Sequence, residues 1–377
     1  MKGKPEILSK VVVKHTFLSL LIFTGLAFGH EHETGAAASD EAHDLVLGHA
    51  NAKYRVDMKW AKADPKVAPV INSHAIAEGK DGLIYVVTDH PKNAFVVFKK
   101  DGTYVRSFGQ GLYGGHGLEF FEKDGEEFLI HVDCGWHFEA EGWKPKSLNG
   151  KVTILKTDGT IVRTLPTPVE LGVSLPEAKK FKPCDVAITP KGTLLIADGY
   201  ATDIIYEVTV EGKLLKYWGG KSTEPGSLSN AHGISIDMSD PENPLVWVPS
   251  RSECKVKAFT LDGEYVDQIE LPGAYAGQLF FRGDKIYTAV CWSKKDGTGK
   301  KMNQSGFILI LDRKTKRVIS APGGTEPKYI DGVLQPMTQA TKTFIHGHDL
   351  YVDKAGAIYM GEWNSSRRYP SKLTPVK

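Results

Sequence analysis

Beyond its N-terminus the chain has no run of about 18 apolar residues, which excludes a polytopic helical membrane protein. Sustained helical periodicity is also scarce, so coiled coils and helix bundles are excluded. There is no Gly-rich phosphate loop, no Ser-His-Asp elbow and no tandem Cys-x-x-Cys site. Cysteine is rare: Cys134, Cys184, Cys254 and Cys291 are too few for a disulfide scaffold. Their even number still permits disulfides in an exported protein, with three connectivities open. No charge sign dominates, with 47 Lys and Arg against 45 Asp and Glu, so nucleic-acid binding is not expected. Disorder is excluded as well, because 41% of the residues are apolar and only 24% charged.

What is present begins with a secretory pattern. Lys2, Lys4, Lys10 and Lys14 precede an apolar stretch from Thr16 to Gly29 that ends Ala27-Phe28-Gly29. A positive segment, a short apolar segment and small residues at the cleavage positions read as a signal peptide over 1–29. The expected location is therefore secreted or periplasmic, with no stable membrane span after processing. Cleavage removes four Lys and one Glu, taking the formal charge from +2 to −1. Residues 30–51 are small, polar and His-rich and read as a flexible lead-in.

From residue 52 onward one pattern recurs. Asp81-Gly82 leads into Leu83–Val87, then Phe95–Phe98, then Asp101-Gly102. Lys191-Gly192 leads into Thr193–Ile196, then Ile204–Val208, then Glu211-Gly212. Short β-branched and aromatic runs separated by turns that accept positive φ are strands, and their repetition indicates an all-β, NHL-type six-bladed β-propeller. The six units start near His74, His116, Cys184, His232, Ala276 and His348. Spread over 348 residues, each unit averages about 58, more than the 40–45 of a compact blade, so insertions are expected at Gly135–Asn149 and Trp292–Ser305. The last unit supplies three strands. Tyr54 to Trp60 is expected to add its outer strand and close the ring, which removes an exposed sheet edge.

The histidines sit on this repeat. His116 to His232 and His232 to His348 are both intervals of 116 residues, two blades each, so alternate blades 120° apart present a His at the start of the channel-lining strand. Three neutral imidazoles with a fourth position open suit a catalytic Zn²⁺. His74 holds the equivalent place in the first unit, as a fourth ligand, a substrate contact or a structural residue. Cys184 holds it in the third.

The phrase Ala197-Asp198-Gly199-Tyr200 with Tyr217-Trp218-Gly219, and the three His phrases in order and spacing, resemble the peptidyl-α-hydroxyglycine α-amidating lyases. The resemblance runs from about His74 to the C-terminus. It implies zinc on His116, His232 and His348, Tyr200 as catalytic base and Arg251 as an active-site arginine. It also implies a structural Ca²⁺ on the Asp349 carboxylate with the carbonyls of Ala75 and Leu118. The departures are specific. A second family arginine falls near Thr88, a family methionine falls at His346, which with His74 is a possible extra metal residue, and the family disulfide positions fall at Ala201, Trp247 and Ala258.

Two functions follow. One is an exported zinc-dependent carbon–nitrogen lyase, a monomer acting on a small-molecule or peptide substrate. The other is a non-catalytic NHL propeller that binds a protein or carbohydrate partner. A metal cage with a tyrosine beside it is the feature only the first requires.

Overall fold

A computed structural model describes residues 45–376, apart from 141, 143 and 296–298. The signal segment and most of the lead-in lie outside the described residues. None of the described helices is long and apolar enough to cross a membrane.

Six antiparallel sheets follow one another along the chain as the blades of a propeller. Their innermost strands are Ser73–Glu78, Gly115–Lys123, Asp185–Ile188, Ser235–Asp237, Ala274–Ala276 and Gly347–Val352 for blades 1 to 6. These match the six expected unit starts. Within a blade the two middle strands are apolar on both faces, since each blade is sandwiched between neighbours. In blade 1, Ile84–His90 and Asn93–Phe98 are buried at every position. The outer strands carry the solvent face: Leu214–Gly219 in blade 3 alternates partly buried and exposed residues. Contiguous apolar clusters fill the spaces between blades, such as Ile130, Val152, Val186, Ile196 and Tyr206 between blades 2 and 3.

Ring closure runs through blade 6. Ala52–Asp57 pairs with Ser371–Pro375 in the register Tyr54↔Pro375 to Asp57↔Lys372. The closing strand ends earlier than Trp60, at a turn in which the Asp57 carboxylate accepts the Lys59 N–H at 2.9 Å. Trp60 instead lies against Phe98 of blade 1 and Tyr359 of blade 6. The lead-in also contributes structure: Val46–His49 pairs with the closing strand as a fifth strand, and Ser320 of blade 5 ties it down through the His49 N–H. That end of the lead-in is therefore ordered, because its alternation buries Leu47 against blade 6.

The two long insertions lie after the second strands of blades 2 and 5. The first carries a small hairpin, Trp136–His137 with Lys146–Ser147.

Candidate active site

The inner strands of blades 6, 1 and 2 each break register at the residue of interest. The shifts fall between Gly347 and Asp349, between Ser73 and Ile76, and between Gly115 and Gly117. Each β-bulge contains a histidine: His348, His74 and His116. A bulge re-aims the side chain it carries, and here it turns three imidazoles to one point at the mouth of the channel. His232 arrives by a different route, on the approach to the inner strand of blade 4, with its N–H bonded to the Pro249 carbonyl. Gly117 permits the crowding below His116: a Cβ there would lie 2.8 Å from Asp185 Oδ1 and 2.9 Å from the Cys184 carbonyl oxygen.

All four imidazoles are buried, each at 3–4% exposure. The ring centroids of His116, His232 and His348 are 4.4, 4.7 and 5.1 Å apart. His116 Nε2 is 3.0 Å from His348 Nε2. Four ligands on tetrahedral Zn–N bonds of about 2.0–2.1 Å would sit about 3.3 Å apart. Two sets of possible ligand atoms lie within 4.8 Å of one another: His74, His116 and His348, and His116, Cys184 and His232. His116 belongs to both. Burial holds His116, His232 and His348 well below the usual histidine range, with the charge of Arg251 and neighbouring imidazoles adding to it. They are therefore the neutral, metal-ready form. The tautomer of His116 is set by its outer contact: Nδ1 donates to the Cys184 carbonyl at 2.6 Å, leaving Nε2 as a lone pair toward the axis. The donor types present are thus those a zinc ion takes, although His116, His232 and His348 do not fall together in one of the two ligand-atom sets.

Tyr200 stands over this cluster, its hydroxyl 3.1 Å from His116 Nε2 and 2.7 Å from His232 Nε2. It is presented by the turn Asp198–Asp203, in which the Asp198 carboxylate accepts the Lys182 N–H and the Thr202 hydroxyl. Gly199 is required there, because a Cβ would lie 2.0 Å from the Ala231 carbonyl oxygen. Burial raises the Tyr200 phenol well above its ordinary range, the Cys184 thiol adds to this, and Arg251 opposes it.

Arg251 lies in the short 3-10 turn Arg251–Glu253 and is 3% exposed. Its Nε and one terminal nitrogen have no hydrogen-bond partner among the described residues. Its guanidinium carbon lies 5.5 Å from the Trp292 ring centre. Trp292, His346 and Trp363 form one aromatic wall, with centroids 5.4–5.7 Å apart. His346 is set within that wall and not in either ligand group, its ring nitrogens 3.1 Å from the Trp363 carbonyl oxygen and 2.9 Å from Asn303 Oδ1.

Deeper in the channel the histidines give way to acid. A small cavity is lined by His116, Cys184, Asp185, His232, Gln278, His348 and Asp349. Burial pushes Asp349 up to about 8 and Glu119 up to about 7. It raises Asp185 strongly, and the Asp349 carboxylate adds to that rise. Asp185 Oδ1 has no hydrogen-bond partner among the described residues. Asp349 was expected here, with the Ala75 and Leu118 carbonyls; Asp185 and Glu119 were not. The signal for Asp185 was present, since Cys184-Asp185 in blade 3 repeats His348-Asp349 in the opposite blade 6. Thr88, where the second family arginine falls, is fully buried, and its hydroxyl donates to the Asn93 carbonyl. The cysteines are all free and buried, so the disulfides that their number permitted do not form.

No protein-family model matches the chain. It is 23% identical over 321 residues to human NHL repeat-containing protein 3, spanning 82% of this chain and 81% of the relative. The chain is an NHL-repeat-like six-bladed β-propeller. It is also 22% identical over 349 residues to peptidylglycine alpha-amidating monooxygenase of Rattus norvegicus, covering 91% of this chain and 30% of that protein. The propeller thus spans under a third of that larger relative. Among solved structures, a gluconolactonase from Xanthomonas campestris is 13% identical, covers 82% of this chain and 87% of its own, and superposes with a TM-score of 0.49.

Proposed function

We propose that the propeller is an exported zinc-dependent lyase that cleaves the C–N bond of an α-hydroxyglycine-type substrate, giving an amide and glyoxylate. The single observation that carries this reading is the Arg251 guanidinium, buried with unpartnered nitrogens beside Tyr200 and the imidazole cluster. An unpaired buried cation is costly to the fold. A carboxylate ligand offsets that cost with a bidentate pair.

A zinc ion on His116, His232 and His348 would supply positive charge that acidifies a substrate hydroxyl and the Tyr200 phenol. Arg251 binds the substrate carboxylate and so fixes the carbinolamide carbon over the cluster. Tyr200, as phenolate, takes the proton of the carbinol hydroxyl. The oxygen lone pair forms the C=O bond as the C–N bond breaks, and the nitrogen leaves with that electron pair. Tyr200 returns the proton to the departing amide nitrogen, so the phenolate is regenerated and no oxidant is needed. Trp292 walls this pocket. With Thr88 in place of a second arginine, the carboxylate is gripped from one side, and weaker binding than in the resembled family follows. In the acidic floor, Asp349 with the Ala75 and Leu118 carbonyls would take a structural Ca²⁺.

Glyoxylate release from α-hydroxyglycine model compounds tests the reading. Wild-type protein with bound zinc is expected to release it and Tyr200→Phe to lose most of the rate. Absence of metal-dependent release from the wild type refutes the lyase. Undiminished release from Tyr200→Phe removes that residue as the base.

A further inference from the structure

The blade-1 histidine has the same local device as two of the zinc histidines and a more elaborate support. Like His116 and His348 it occupies a bulge at the start of an inner strand. Its Nδ1 is 3.2 Å from His348 Nε2, close to the separation expected between two ligands of one tetrahedral ion. Its ring centre lies 4.4 Å from that of His348 and 5.1 Å from that of His116.

The other side of the ring settles its tautomer. His74 Nε2 is 3.2 Å from Asp89 Oδ2, and both residues are buried. A carboxylate only accepts, so Nε2 carries the proton and Nδ1 presents a lone pair to the axis. Asp89 is itself held by Asn72, whose N–H and side-chain NH₂ donate to it at 2.9 and 2.6 Å. Asn72 Oδ1 in turn accepts the Asn364 N–H at 2.6 Å. Metal-bound histidines almost always have such a carboxylate or carbonyl behind them, because it fixes tautomer and orientation. In this cluster His74 is the histidine backed by a carboxylate. The lone pairs of His74 Nδ1 and His116 Nε2 both converge on His348 Nε2, which carries at most one proton. That one hydrogen cannot serve both, and although the Tyr200 hydroxyl also reaches His116 Nε2, a cation between the rings would satisfy both lone pairs at once.

We propose that His74, held by Asp89, is a fourth protein ligand of the axial metal, so that blades 6, 1 and 2 contribute three contiguous imidazoles and His232 joins from blade 4. This rests on the three-histidine reading above and changes its coordination: a substrate oxygen would enter as a fifth ligand, from the side of Tyr200 and Arg251. Blade 1 thereby becomes part of the metal site, though its first strand is absent from the 116-residue intervals that link the other three.

Cobalt(II) replaces zinc as a spectroscopic probe, with metal-free full-length protein titrated in the wild type, His74→Ala, His74→Gln and Asp89→Asn. The wild type is expected to bind one equivalent. Either His74 variant is expected to bind at least 10-fold more weakly and with a visible spectrum changed in intensity, and Asp89→Asn to lose about 10–100-fold in affinity. His74→Gln preserves side-chain size and polarity and is read if the alanine variant unfolds. Wild-type affinity and an unchanged spectrum in a folded His74 variant overturn the fourth ligand while leaving the three-histidine site standing. Failure of the wild type to bind cobalt or zinc at all overturns both.

Discussion

His131 is a buried group whose titration couples this fold to pH. It lies on the second strand of blade 2, paired with Leu118 and Thr153, is 1% exposed and packs edge-on to Phe95. Neither ring nitrogen has a hydrogen-bond partner among the described residues. Burial lowers it to about 4 from 6.5, against the pull of Asp133. The folded state therefore binds fewer protons than the unfolded chain between about pH 6.5 and 4. Stability is lost as pH falls through that window and the loss is complete below it. The gap corresponds to ~3 kcal/mol at full extent and ~2 kcal/mol at pH 5. In His131→Leu that penalty disappears. The assay is urea unfolding of wild type and variant from pH 7.5 to 4.5, with the difference in unfolding free energy plotted against pH. The difference should be flat above pH 7 and move in favour of the variant below pH 6.5. Every other titrating group is common to both proteins and cancels in the difference. Parallel curves at every pH would refute a neutral, unsatisfied His131.

Two further outcomes are expected. Arg251→Met, which removes a buried charge without a carboxylate partner, should leave stability unchanged or raised by about 1–2 kcal/mol while raising KM for anionic substrates at least tenfold; a large loss of stability in thermal melts would mean that the guanidinium is structural. Calcium added to metal-depleted protein should raise the melting temperature, by the equivalent of ~2.7 kcal/mol at a hundred times its dissociation constant, and Asp349→Asn should abolish the rise; an equal rise in both proteins would remove Asp349 as a ligand.

The architecture was legible because a propeller writes its period in turn dipeptides and apolar runs, both local signals. The nearness of the His116, His232 and His348 rings agrees with two equal intervals on a closed ring, whereas their ligand atoms are divided between two sets that share His116. The edges were less legible. Val46–His49 lies in a small polar stretch whose only cue is one buried Leu47, and the closing strand ended before Trp60 because a side-chain cap at Asp57 outweighed the aromatic run. Asp89 behind His74 could not be read, since the bulge that brings them together is a backbone event without a residue signature. Asp185 was legible only as a repeat of His348-Asp349 in Cys184-Asp185, because its carboxylate meets Asp349 only when the opposite blade is in place. His346 was a plausible ligand by position, but it faces Trp363 and Asn303.

The seam between blades 6 and 1 has a consequence for the order of events during folding. It joins the two ends of the sequence: Tyr351 of blade 6 donates to Glu78 of blade 1, and His74 meets His348 across 274 residues. Blades 1 to 5 can stack on one another as they are synthesised, each on its predecessor, but the seam cannot form until the last strand, Ser371–Pro375, has found Ala52–Asp57. Contacts so remote in sequence are slow to form, because the loop they close is long. The imidazole cluster therefore does not exist in the nascent chain. It is assembled in the final step, and if the proposed ion binds His74 and His348 it would grip both sides of the seam and latch the ring from within.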